Sequence, residues 1–310
     1  YTGFLSLATL SQVQGELTPA RQFVERALLM EPTRLSIVRR LAQLDLLSGA
    51  FDEAKAGLDR MLSESTTPRE KFTSWSALQT YYEYRGEMDA AIDAIEYLSE
   101  EAGAFQASIT MLVSPLSDVE TYLVAGRAEE AIDLVEERRT QLQPPMDLRV
   151  HMADFEIAIY QRDRDAARLS LQRAEARVTA LGADGASARN EFDEARGRLA
   201  ELQGDWEAAL EAYRSALASD LENPMLHEDI GRVLQQMGEL FEAEEETREA
   251  LRLRPSSPHA HLLLAHLLVA RGDTVEAVEH LEWAMLAWAR ADPDYKPAQE
   301  ARGALEELGR

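Results

Sequence analysis

In a chain without cysteine, histidine is the first residue to weigh, because imidazole titrates near neutrality and ligates metals. The sequence has six histidines and no cysteine. Four crowd together as His259, His261, His266 and His280, and His259 and His266, seven apart, share a helix face. A metal needs a third ligand close by, and no HxxxH or HxxE spacing offers a compact pair. These residues read as surface or groove histidines, with a pH-responsive role as the alternative. Acidic runs such as Glu129-Glu130 and Glu244-Glu245-Glu246 point successive side chains around a helix, not at one atom, and so describe a solvated face. The glycines are solitary, without GxxxxGK[ST] or GxGxxG, so no phosphate cradle is encoded. No serine occupies a nucleophile elbow. Of the aromatics Trp75, Tyr81, Tyr82 and Tyr84, Tyr84 is a candidate contact for a partner. The reading is of a non-enzyme, with no catalytic residue, no metal and no cofactor.

Charge narrows the partners. Asp and Glu total 56 against 32 Lys and Arg, a formal charge of -24 over 310 residues. That excess argues against nucleic acid or an anionic lipid surface as the main partner. A hydrophobic content of 45% with 28% charged residues is that of a folded chain. No apolar run reaches the length of a membrane span, and no signal peptide opens the chain. It begins at Tyr1 and not Met, which suggests a fragment or a processed chain. The expected compartment is the cytoplasm, or the periplasm if an export signal lay upstream. Lysine occurs only at Lys55, Lys71 and Lys296, and arginine and alanine abound, a composition that suggests a GC-rich bacterial genome.

The elements that must carry any binding residues are helices. The mixture of Ala, Leu, Glu and Arg favours helix throughout, and no alternating β-branched run argues for a strand. A pattern recurs along the chain: a turn residue, four positions, then Ala, often with Ala again seven later. It reads Gly15–Ala20–Ala27, Gly49–Ala54, Gly86–Ala91, Gly126–Ala131, Arg162–Ala167–Ala174, Gly204–Ala209–Ala216, Gly238–Ala243–Ala250 and Gly272–Ala277–Ala284. The spacings between successive copies are 34, 37, 40, 36, 42, 34 and 34 residues. Small residues also recur ahead of the turn as Ala8, Ala42, Gly197, Gly231 and Ala265, whereas Val119 and Phe155 break that rule. Thr67-Pro68-Arg69-Glu70 forms a capping box, Thr18-Pro19 marks a second helix start, and Ser114-Pro115 a third.

This periodicity resembles the tetratricopeptide repeat (TPR) family over essentially the whole chain. The resemblance implies an all-α, right-handed solenoid of antiparallel helix pairs without strands. Each repeat holds a helix A and a helix B, with Gly closing A in a left-handed conformation. Trp75 and Tyr82 then occupy the family's two large A-helix positions. Eight repeats fall at about 1–34, 35–71, 72–111, 112–147, 148–189, 190–223, 224–257 and 258–291. Residues 292–310 form a capping helix or the start of a ninth. Contacts confined to neighbouring repeats are expected, so that terminal repeats fray first.

The resemblance also implies a protein-binding groove lined by A helices. Carried over by repeat phase, its residues are Arg39, Gln43, Thr80, Tyr84, Leu116, Glu120, Leu123, Arg149, Met152, Glu156, Ile159, Arg198 and Arg232. Leu116, Leu123, Met152 and Ile159 would form an apolar patch with Glu120, Glu156 and Arg149 at its rim. Two alternatives stay open: that these residues are core because the middle repeats are rotated, or that the insertion at 107–113 covers them. The positions at which the family's chaperone-binding members carry Lys and Asn hold neither, which disfavours that role. The implied function is a non-catalytic protein–protein interaction scaffold. It would bind another protein or a segment of its own full-length chain, without nucleic acid or membrane insertion. Alternatives are the regulatory or substrate-presenting arm of a larger bacterial transferase, kinase or cyclase, or an envelope assembly factor.

Overall fold

Seventeen helices and no strand make up the described part of the computed structural model, which covers residues 1–104, 118–142, 144, 147–181 and 189–309. Leu116, the 107–113 insertion, Ser114-Pro115 and the Gly182–Gly185 stretch lie outside the described residues. In chain order the helices are α1 (Thr2–Val13), α2 (Leu17–Met30), α3 (Leu35–Leu47), α4 (Phe51–Glu64), α5 (Pro68–Arg85), α6 (Met88–Ala104), α7 (Val119–Val124), α8 (Ala128–Gln141) and α9 (Leu148–Tyr160). They continue as α10 (Arg164–Leu181), α11 (Arg189–Gln203), α12 (Trp206–Ser219), α13 (Pro224–Met237), α14 (Leu240–Leu253), α15 (Pro258–Arg271), α16 (Thr274–Ala287) and α17 (Lys296–Leu308). Pairs such as α1–α2, α3–α4, α5–α6, α11–α12 and α15–α16 pack as antiparallel hairpins.

The repeating residues explain the hairpins. Seven glycines, Gly15, Gly49, Gly86, Gly126, Gly204, Gly238 and Gly272, have φ between +69° and +88°. The eighth turn has no glycine, and Arg162 takes the left-handed conformation instead, at φ +58°. After each turn comes a fully enclosed alanine: Ala20, Ala54, Ala91, Ala131, Ala167, Ala209, Ala243 and Ala277 have no exposed surface. A methyl is all that fits where two helices approach this closely. On α11, a Cβ on Gly197 would come 2.6 Å from the ring of the buried Tyr213, so that crossing admits only hydrogen. The exception is instructive. Phe155, at a position where a small residue is expected, is fully buried, and its cluster compensates with Ala158, Ala167, Ala174 and Ala195.

Local signals hold at one helix start and slip at another. Thr67 accepts from the Glu70 amide at 3.2 Å while the Glu70 carboxylate accepts from the Thr67 amide at 3.0 Å, closing the capping box on α5. By contrast α2 begins at Leu17 with Glu16 as its cap residue, so Thr18 and Pro19 lie in its first turn. A proline there removes only an amide that the helix leaves unbonded.

The chain divides into two compact units, residues 1–106 with 248–310, and residues 107–247. In the first, the two chain segments meet directly, which corrects the expectation of neighbour-only contacts. Trp283 of α16 stands edge-on to Phe51 of α4, with ring centroids 6.1 Å apart, and reaches to within 3.0 Å of where a Gly49 side chain would begin. The turn after α16 seats on the α5–α6 turn: the Asp292 amide donates to the Gly86 carbonyl and the Asp292 carboxylate accepts from the Asp89 amide, both at 2.9 Å. A Cβ on Gly86 would strike the Tyr295 ring at 2.6 Å. The driving force is apolar burial: Trp288 and Tyr295 are buried and stand edge-on to each other at 5.7 Å. The α17 helix follows with Ala298 and Ala301 buried.

Candidate functional site

In the first unit, α3 and α5 carry the residues expected in the groove. Arg39 and Gln43 are exposed one turn apart on α3, and Thr80 is exposed on α5 with its hydroxyl donating to the Ser76 carbonyl at 3.2 Å. Tyr84 is a correction. Its hydroxyl donates to Ser256, within the contact between the chain's two segments, and its ring lies 6.3 Å from that of Phe51. It is a structural tyrosine and not one held out to a partner.

His261 corrects a second expectation. His261 is only 6% exposed. Its Nε2–H donates to the Pro255 carbonyl at 2.9 Å, which leaves Nδ1 to accept from His280 at 2.7 Å. Trp283 stacks on the ring at 4.8 Å. Burial and the neighbouring His280 push His261 down to about 4, against the pull of the Pro255 carbonyl. His280 is lowered as well, chiefly by burial, with Glu276 3.6 Å away pulling it upward. Among the described residues no group of three potential ligands could hold a metal.

The second unit is organised around paired charges on α7, α9, α11 and α13. Arg198 of α11 grips Glu156 of α9 with both terminal nitrogens at 2.7 Å and lies 3.9 Å from Glu120 of α7. One turn on, Glu201 accepts from Tyr213 at 2.5 Å and from Arg232 of α13, which also holds Asp229 at 2.5 Å. Burial pushes Glu156 up to about 7, outweighing the attraction of Arg198. Burial also opposes the charge of Arg198, yet Glu156 and Glu120 hold its guanidinium above its ordinary value. Asp229 is raised by burial against the pull of Arg232. Four of the expected residues thus stand in two neighbouring clusters, Glu120, Glu156 and Arg198 in one and Arg232 in the other. Of these Glu120 is the most open, at 64%. Asp229 and Tyr213 complete the second unforeseen, although the spacing of Asp229 and Arg232, three apart on a helix, is a readable ion-pair signal.

The apolar patch loses Leu123, while Leu116 lies outside the described residues. Leu123 is only 4% exposed, because the short α7 turns Val119, Tyr122 and Leu123 inward together and leaves Val124 outside. Met152 and Ile159 are half-buried against the Phe155 cluster, and Arg149 is half-buried. Of the two alternatives to the patch, rotation into the core describes Leu123.

No protein-family profile matches the sequence, and no curated protein does. Solved structures do. A chain in the crystal structure of the APC/C hetero-tetramer Cut9-Hcn1 superposes with a TM-score of 0.50 at 14% identity, over 99% of this chain and 55% of that one. The fold is the tetratricopeptide-repeat fold. The chain spans about half the length of that structural relative. A tetratricopeptide repeat protein from Parabacteroides merdae aligns over 100% of this chain and 99% of its own, at 12% identity and a TM-score of 0.39. No helix among the described residues of this TPR array is long and apolar enough to cross a membrane.

Proposed function

We propose that the chain is a non-catalytic scaffold that binds a segment of another protein along its A helices. The observation that carries this reading is the contrast between helix faces. The B-helix alanines from Ala20 to Ala277 are wholly enclosed, whereas Arg39, Gln43 and Thr80 are exposed on A helices and Glu120, Glu156, Arg198 and Arg232 stand in two neighbouring charged clusters. Pre-ordered charges that already satisfy one another select partners by complementarity and by excluding poorly matched ones. TPR proteins supply such surfaces, and the Cut9-Hcn1 hetero-tetramer holds one in a multiprotein assembly.

The test is affinity capture with the array, comparing the wild type with a Glu120→Lys, Arg232→Glu variant that circular dichroism shows to be folded. A protein retained by the wild type and lost by the variant supports the reading. An array that retains nothing, or one whose captured proteins are the same with the variant, overturns it.

A further inference from the structure

Between α3 and α5 lies an open cleft of about 540 Å³ in which Arg34, Arg39 and Arg69 converge around Leu35 and the buried Met61. In a chain with 24 excess negative charges, a guanidinium normally finds a carboxylate, and here most do: Arg21, Arg60, Arg127, Arg139, Arg196 and Arg248 all stand in ion pairs. The cleft gathers three that do not. Among the described residues, none of Arg34, Arg39 and Arg69 has a carboxylate within ion-pair distance, and Arg34 lies instead over the Tyr1 ring at 4.6 Å. The one acid in the lining, Glu70, is spent on its own helix, since its carboxylate accepts from the amides of Thr66 and Thr67 at 2.9 and 3.0 Å. The positive charge is also self-repulsive: burial and the adjacent Arg39 both lower Arg40, whose guanidinium donates to the Thr9 hydroxyl at 3.3 Å.

We propose that this cleft is a docking site for an acidic segment of a partner protein, its Asp or Glu side chains held by Arg39 and Arg69 and a neighbouring apolar residue seated on Leu35. The proposal rests on the scaffold reading and names the chemistry of the occupant. Charge complementarity selects it. The planar guanidinium fork matches a carboxylate two bonds at a time, and the forks of Arg39 and Arg69, without a carboxylate partner among the described residues, leave that capacity unused. The acidic exterior repels the same segment elsewhere, which confines it to the cleft. The recognised groups are side-chain carboxylates, so the segment need not end there.

Fluorescence anisotropy tests this with a labelled twelve-residue peptide rich in Asp and Glu, containing one Leu and amidated at its C-terminus. Its comparators are the same peptide with Gln for every acid, and a phosphoserine peptide without Asp or Glu. The expected result is saturable binding of the acidic peptide, none of the Gln peptide, and at least tenfold weaker binding by Arg39→Glu, Arg69→Glu, whose sites are exposed on the surface. The Arg39→Lys, Arg69→Lys variant should keep part of the affinity, as a charge without the fork would. No binding of the acidic peptide, equal binding by the Glu variant while it remains folded by circular dichroism, or preference for the phosphoserine peptide overturns the proposal. A partner captured by the array but indifferent to Arg39→Glu, Arg69→Glu removes the cleft from the interface and leaves the scaffold reading standing.

Discussion

Arg162 is the one non-glycine residue in the left-handed region among the described residues, and it occupies the position at which seven other turns have glycine. A side chain there costs roughly 1 kcal/mol that glycine avoids. Arg162→Gly is therefore expected to stabilise the protein by about 0.5–1 kcal/mol, read as a higher midpoint in urea unfolding; an unchanged or lower midpoint would contradict it. The Arg198–Glu156 pair gives a sharper test. Glu156 has its folded value near 7 against an ordinary 4.5, so the neutral acid is what the fold favours, and that contribution is lost as pH rises through 7. Arg198→Met leaves the carboxylate without its partner and should cost about 3–5 kcal/mol at pH 8. At pH 5.5, where Glu156 takes up a proton, the loss should shrink markedly. Denaturant titrations at both pH values decide it, and equal losses would rule it out. Repeat phase alone picked out Glu120, Glu156, Arg198 and Arg232, but not their partners. Nothing in the one-dimensional pattern says that Arg198 reaches across to α9, or that the short α7 rotates Leu123 inward.

At the scale of helices, the sequence was most legible where geometry forces a residue type. The left-handed turns favour Gly, present at seven of the eight, and the tight crossings require Ala at all eight, so the repeat was readable throughout. The capping box on α5 was equally plain, because its two bonds depend on residues three apart. The α15–α16 hairpin was not. His261 looked like a surface histidine because its neighbours His280 and Trp283 come from the next helix. Its burial carries a pH signature. The folded value near 4 lies below the ordinary 6.5, so its stabilisation is complete above about pH 6.5 and falls away as pH drops toward 4. About 3 kcal/mol is at stake if burial is the whole cause. His261→Gln should flatten that decline, since an amide does not titrate. Thermal midpoints between pH 4 and 7 would show it, and a decline of the same steepness in the variant would assign the effect to other groups.

At the scale of the unit built from residues 1–106 and 248–310, stability is not a sum over neighbouring helices. Trp283 against Phe51, Asp292 on the α5–α6 turn and Tyr295 over Gly86 join segments some two hundred residues apart. Gly86→Ala should displace Tyr295 and cost about 1–3 kcal/mol through overpacking and the left-handed backbone. Hydrogen exchange should then rise in α4, α5, α16 and α17 together, because those elements share the contact. Exchange that rises at the substituted turn alone would show that the segments fold independently. This contact was invisible to repeat phase, which describes only how each helix meets the next. The closely placed Trp283, Trp288 and Tyr295 were its one sequence trace.

The same contact limits how such a protein can change over generations. An open array of repeats tolerates gain or loss of a unit by unequal recombination, since each new helix pair needs only its two neighbours. Here a duplicated 34-residue copy between Arg248 and Trp283, within the unit that holds the contact, would carry Trp283 and Tyr295 away from Gly49 and Gly86, where they now seat. Copy number is thus held by a fit between distant residues, and homologues in which that fit is kept are expected to differ by substitution and loop insertion before they differ in repeat count.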